Sequence, residues 1–210
     1  MTGLSVLLLG IGLGLRHATD ADHVVVVSAL VQREPGVWRA ARIAALWGLG
    51  HTVAFLGLGL LVVLAGVHFP SAFEHAAELL VATMLITFGL WHLLRNRKQV
   101  ATLPSRNAAG SCARPVLIGI VHGMAGSAGI ALLAATTIAS RPLAATYLGL
   151  FGVGTVLGMV VLTAVMSRPI SWTMRREGLS RQGMTILAAL LSMMLGAVVL
   201  VRVLSGGGAP

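Results

Sequence analysis

Acidic side chains are scarce in this chain. Asp and Glu together number 6 in 210 residues, and all charged residues make up only 10%. A water-soluble domain carries about 25% charged residues. With 57% hydrophobic residues and a mean hydropathy of +0.92, the composition excludes an ordinary soluble domain and points to a polytopic membrane protein. The single cysteine, Cys112, excludes a disulfide within the chain. No His-Glu-x-x-His pattern occurs, so the usual helical zinc-hydrolase motif is absent. Residues 1–15 lack a positive n-region, and the first apolar run continues to Leu30, so no cleavable signal peptide is expected. The net charge of +9 would suit nucleic acid, but no basic patch interleaved with aromatics is present and no nucleic-acid partner is expected.

What the chain does have is long apolar runs. A bilayer span needs about 20 such residues, and six runs qualify: 4–30, 41–66, 75–95, 115–139, 143–167 and 184–204. The expected fold is all-α, with six transmembrane helices and no extramembrane domain. Twelve basic residues fall in the first, third and fifth loops: Arg33, Arg39, Arg42; Arg95, Arg97, Lys98, Arg106, Arg114; and Arg168, Arg175, Arg176, Arg181. The opposite side has Arg141 and Arg202. The positive-inside bias makes the rich side cytoplasmic, so both termini are expected outside the cytoplasmic membrane.

The two halves resemble each other. Gly14-Leu15-Arg16-His17 aligns with Gly119-Ile120-Val121-His122, Gly48-Leu49-Gly50 with Gly152-Val153-Gly154, and Gly89 with Gly196. The offsets are 105, 104 and 107 residues, which suggests a duplication. Three helices per half is an odd number, so the repeats are expected to be inverted in the membrane, a recurring transporter architecture. This divides the chain into a first repeat (1–95), a cytoplasmic linker (96–114) and a second repeat (115–210).

Both aspartates lie in the stretch Arg16-His17-Ala18-Thr19-Asp20-Ala21-Asp22-His23, inside the first apolar run. Ionisable groups in a membrane helix are costly and mark functional sites. Carboxylate oxygen beside imidazole nitrogen suits a divalent transition metal. At 3.6 residues per turn, His17, Asp20 and His23 share about a third of a helix's circumference. Asp22 falls off that face, so either the helix is distorted near Gly10, Gly12 and Gly14, or Asp22 serves a second partner. Arg16 lies near the His23 direction and is placed to pair with a carboxylate. His51 in the second run and His122 in the fourth come to a depth comparable with His17, between the midplane and the inner face. Gly123, Gly126, Ser127 and Gly129 follow His122, and their ordinary role is close helix packing. His68, His75, Glu74 and Glu78 read as a solvated outer loop and helix start, His92 as interfacial, and Met193 and Met194 as packing.

RHATDADH contains His17-x4-Asp22-His23, which resembles the signature of the NiCoT family of nickel/cobalt permeases. The second-run stretch LGHTVAFLGLG resembles that family's Leu-Gly-His-Ser/Thr segment and places His51 on its histidine. VHGMAGSAG is similar to the matching segment of compact, urease-accessory-type members. The resemblance covers most of the chain through residue 139 and fades afterwards. It implies transport of Ni²⁺ or Co²⁺ across the cytoplasmic membrane, with His17, Asp20, Asp22 and His23 at the core of selection. Longer relatives carry eight helices with the motif in the second, whereas here it is in the first, and their later Asp-Thr-rich motif is absent.

The expected metal site is His17, Asp20, Asp22, His23, His51 and His122. The expected activity is uptake by alternating access, with the ion as cargo. No catalytic residue, enzymatic activity or prosthetic cofactor is expected. Because His and Asp bind metal only when deprotonated, uptake is expected to weaken in acid. Export by the same fold, a membrane metalloenzyme and a His/Asp cation channel are the alternatives. Partners are the metal ion and the bilayer, and a homo-oligomer is left open.

Overall fold

A computed structural model describes residues 3–31, 36–67, 69–98, 110–124, 129–175 and 179–206. The described residues form eight helices: α1 (Gly3–His17), α2 (Ala21–Val31), α3 (Val37–Ala65), α4 (Ser71–Lys98), α5 (Gly110–Gly123), α6 (Gly129–Thr136), α7 (Arg141–Arg175) and α8 (Leu179–Leu204). Of these, α3, α4, α7 and α8 contain stretches long and apolar enough to cross a membrane. The chain is a multi-pass helical membrane protein. Its surface agrees: along α7, Val153, Leu157, Val161 and Val165 form an exposed apolar ridge at four-residue spacing, while threonines 155 and 163 are buried. A soluble protein arranges these the other way.

Two of the six expected spans are not continuous helices. The run 4–30 breaks between His17 and Ala21, and the run 115–139 divides into α5 and α6. The apolar pattern hides the first break because Val24–Val27 resume it at once. Locally, the Thr19 amide donates to Arg16 O and the Asp20 amide to His17 O, three-residue steps that tighten and end α1. The Thr19 hydroxyl donates to the same Arg16 carbonyl. The Val24 amide then donates to Asp20 O and starts α2, which sets Asp20 at the cap and Asp22 in the first turn. A carboxylate there faces the positive end of the α2 dipole. His68, the greater part of the 96–114 linker, Gly126 and Ser127 lie outside the described residues, as do the side chains of His92 and Arg95.

The helices pack as a row, α1–α7–α3–α5, with the α4/α8 pair set against it. Glycines make the close approaches. Gly14 lies against the backbone of Phe151 and Thr155, and Gly119 lies against the backbone of Trp47 and His51. Gly154 abuts Ile11, and Gly50 abuts Val116. Each contact is its counterpart shifted by 104 or 105 residues. In the α4/α8 pair, Gly89 meets Ala189 and Met193, while Gly196 meets Ala82 and Ile86, a shift of 107. The directions follow from the same contacts. Helix α1 runs parallel to α7 and α3 parallel to α5, whereas α3 runs antiparallel to α7, with Gly48 near Met159, Thr52 near Gly152 and Gly59 near Leu148. A buried hydrogen bond from the Ser192 hydroxyl to Leu85 O, 2.7 Å long, ties α8 to α4.

A methyl group at Gly14 would run into the Phe151 carbonyl, whereas one at Gly12 meets nothing within 4 Å. Gly14→Ala therefore forces α1 off α7 and is expected to lower the melting temperature of the purified protein in detergent. Gly12→Ala is expected to leave it unchanged or raise it, because Ala favours a helix over Gly by about 0.5–1 kcal/mol.

Candidate metal centre

The break after His17 places the motif's residues on two helix ends that meet α3 and α5. His17, His23, His51 and His122 are all buried, none more than 5% exposed. Their rings form one cluster. The His23 centroid lies 4.5 Å from His17, 5.0 Å from His51 and 4.7 Å from His122. Asp22 joins two of them: its Oδ1 accepts from His23 Nδ1 at 3.0 Å, and its Oδ2 accepts from His122 Nε2 at 3.0 Å. The His23 amide also donates to Asp22 Oδ1 at 3.0 Å. A carboxylate at the centre of a membrane helix costs about 2.5–3.5 kcal/mol. Hydrogen bonds to a charged group contribute about 1.5–3 kcal/mol each, so these three offset that cost.

These bonds also set the imidazole tautomers. His23 donates through Nδ1, and its Nε2 has no hydrogen-bond partner. His122 donates through Nε2, and its Nδ1 has none. His17 donates through Nδ1 to Asp20 Oδ2 at 2.9 Å, and its Nε2 faces His51 Nε2 at 3.2 Å. Two imidazole nitrogens bound to one ion at about 2.0–2.1 Å sit about 3 Å apart, so that spacing matches a shared ligand position. Two groups have ligand atoms within 4.8 Å of one another: His17, His23 and His51, and Asp22, His23 and His122. Unpaired, buried lone pairs on several converging imidazoles are costly as structure alone and are suited to receiving a metal.

Of the six residues singled out from the sequence, five enter these groups. Asp20 stays at the rim, 44% exposed, where it orients His17. Asp22, which an unbroken helix would turn away, is the more central carboxylate because the break rotates it inward. Arg16 is exposed and forms no ion pair among the described residues, so its expected pairing with a carboxylate is not met. Helix α1 ends at His17, which removes the helical geometry that would have carried Arg16 toward His23.

Among known proteins, no family model and no solved structure matches the chain. The urease accessory protein UreH of Bacillus sp. (strain TB-90) does: it is 32% identical over 184 residues, covering 82% of this chain and 81% of that protein. The chain belongs to the UreH family. That span is too long to end at residue 139, so the likeness to this relative reaches into the second half.

The sequence reading passed over two members of the site. Trp47 is fully buried, with its ring 5.3 Å from His23 and 5.7 Å from His122. Phe151 lies 5.4 Å from His17 on the other side. They belong to separate apolar clusters, Trp47 with Val26, Val27, Leu85 and Met159, and Phe151 with Phe55, Tyr147 and Leu148. The buried histidines thus lie between two apolar clusters, with Asp20 and Asp22 partly exposed at the rim. The available signal was spacing: Trp47 is four residues before His51 and so shares its helix face.

The other tryptophans, Trp38, Trp91 and Trp172, are exposed. A variant keeping only Trp47 is expected to lose fluorescence on addition of paramagnetic Ni²⁺, because an ion among these rings lies within a few ångströms of the indole. Undiminished emission at saturating Ni²⁺ would place the bound ion elsewhere.

Proposed function

We propose that the protein is a carrier that takes up Ni²⁺, and Co²⁺ as a second cargo, across the cytoplasmic membrane through the His17/Asp22/His23/His51/His122 centre. The observation that carries this reading is the convergence of four buried histidines and a carboxylate from three parts of the chain within a lipid-exposed helical bundle. Two further lines support it. The motif His17-x4-Asp22-His23 resembles that of the NiCoT nickel/cobalt permeases, and the UreH relative is a urease accessory protein, the type of compact member that the fourth-run segment resembles. That resemblance supports uptake, with export by the same fold as the alternative.

The proposed architecture is six spans in two inverted three-helix repeats, with both termini outside. The first and fourth spans are broken at the site. The exchange of glycine contacts under a shift of 104–107 residues, and the parallel running of α1 with α7 and of α3 with α5, support it. Broken helices at the interface of inverted repeats are where carriers place their cargo sites, and irregular backbone is tolerated there because it lines protein rather than lipid. Rocking of one half against the other about the antiparallel α3/α7 contact would open the two apolar plugs in turn.

The test is accumulation of radioactive nickel by cells expressing the chain. His17→Ala and Asp22→Ala are expected to reduce accumulation at least tenfold while the variant protein stays in the membrane at normal level. Normal accumulation by both variants would contradict the reading.

A further inference from the structure

The ligand atoms of the centre fall into two groups of three, His17/His23/His51 and Asp22/His23/His122, and only His23 belongs to both. We propose that a single Ni²⁺ occupies these seats in turn, and that His23 hands it from one to the other by exchanging which ring nitrogen binds it. This rests on the carrier reading above and adds its internal step.

The two faces of His23 are chemically distinct. Nδ1 is held by Asp22 Oδ1 at 3.0 Å, while Nε2 is buried without a partner. In the first seat the ion binds Nε2 together with the nitrogens of His17 and His51. Asp22 then acts from behind, accepting the Nδ1 proton's hydrogen bond and fixing the ring, the carboxylate–imidazole–metal arrangement common in metal sites. In the second seat Asp22 is itself a ligand, beside His122 and Nδ1 of His23. The Nδ1–H bond of His23 then breaks, its proton leaving to water at the partly exposed Asp22 side. Nε2 takes a proton from water as it releases the ion, so the handover involves no net gain or loss of protons. Three neutral imidazoles hold a dication less strongly than two imidazoles and a carboxylate, so charge draws the ion toward Asp22.

The seats face opposite walls. Phe151 packs on His17 of the first seat alone, whereas Trp47 packs on His122 of the second seat, on the shared His23 and, at 6.5 Å, on His51. Trp47 and Phe151 each lie ten residues from the start of α3 and α7, and these helices run antiparallel. The two plugs therefore lie toward opposite ends of the bundle, and only the first seat, through His17, touches the Phe151 plug. An ion that moves to the second seat leaves the Phe151 plug for the Trp47 side, which is what a carrier needs between loading and release.

The test uses the full-length protein in nanodiscs and in sealed vesicles, with Ni²⁺ as the probe. X-ray absorption reads the ligand shell, equilibrium dialysis reads stoichiometry, and vesicle loading reads transport. Asp22→Asn keeps an acceptor for His23 Nδ1 but removes the charged ligand. It is expected to bind one Ni²⁺ in a shell whose protein donors are all nitrogen, with transport reduced at least tenfold. His51→Ala is expected to bind one Ni²⁺ in a shell containing a carboxylate, with a similar loss of transport. His23→Ala is expected to weaken binding at least a hundredfold. Equal loss of binding in Asp22→Asn and His51→Ala overturns the two-seat proposal. So does a wild-type shell holding all four imidazoles at once, a measurement that decides the matter even where a variant fails to fold. Either result leaves a single-seat carrier standing if wild-type vesicles load Ni²⁺, whereas wild-type vesicles that do not load overturn the carrier reading and the handover with it.

Discussion

Asp22 bridging His23 and His122 is the interaction on which the rest of the structure depends. It joins the start of α2 to α5, across the two halves of the chain, inside a bundle whose outer surface is apolar. A carboxylate in that setting persists only where donors surround it. The break between α1 and α2 supplies two of them, the His23 amide and its Nδ1, and α5 brings in the third, His122 Nε2. Losing one donor leaves a charge in a low-dielectric interior, whereas an arriving dication compensates it. The same physics that makes the residue expensive suits it to a cation.

Close helix contact is the second constraint. Membrane helices gain little from hydrophobic association and rely on packing of small residues. Gly14, Gly50, Gly119 and Gly154 let backbones touch at the level of the histidines, so imidazoles from α1, α2, α3 and α5 can reach one another. Two apolar clusters then close the polar layer from either side. Every histidine of the centre is buried, while Asp22 and Asp20 carry the polar layer to its rim.

Much of this was legible in the sequence, for reasons particular to each feature. Long apolar runs located α3, α4, α7 and α8 because their periodicity is not interrupted. The site residues stood out because six acidic residues in 210 leave any intramembrane carboxylate conspicuous. The break at Ala18–Asp20 was not legible, since hydrophobicity resumes immediately and Thr19 is compatible with a helix. The sequence allowed a distorted helix, but near Gly10, Gly12 and Gly14, so it left open which aspartate faces the histidines. An ideal helix puts Asp20 on the histidine face and Asp22 off it, while the broken one leaves Asp20 at the rim and turns Asp22 inward. Trp47 was missed because an aromatic in an apolar helix reads as ordinary core.

The most direct test of the central claim is metal analysis of the purified protein exposed to Ni²⁺, Co²⁺ and Zn²⁺ in competition. The account predicts that the wild-type chain retains close to one Ni²⁺ or Co²⁺ per molecule and that His23→Ala retains none. Wild-type protein free of transition metal, or a His23→Ala variant holding as much as wild type, would contradict it.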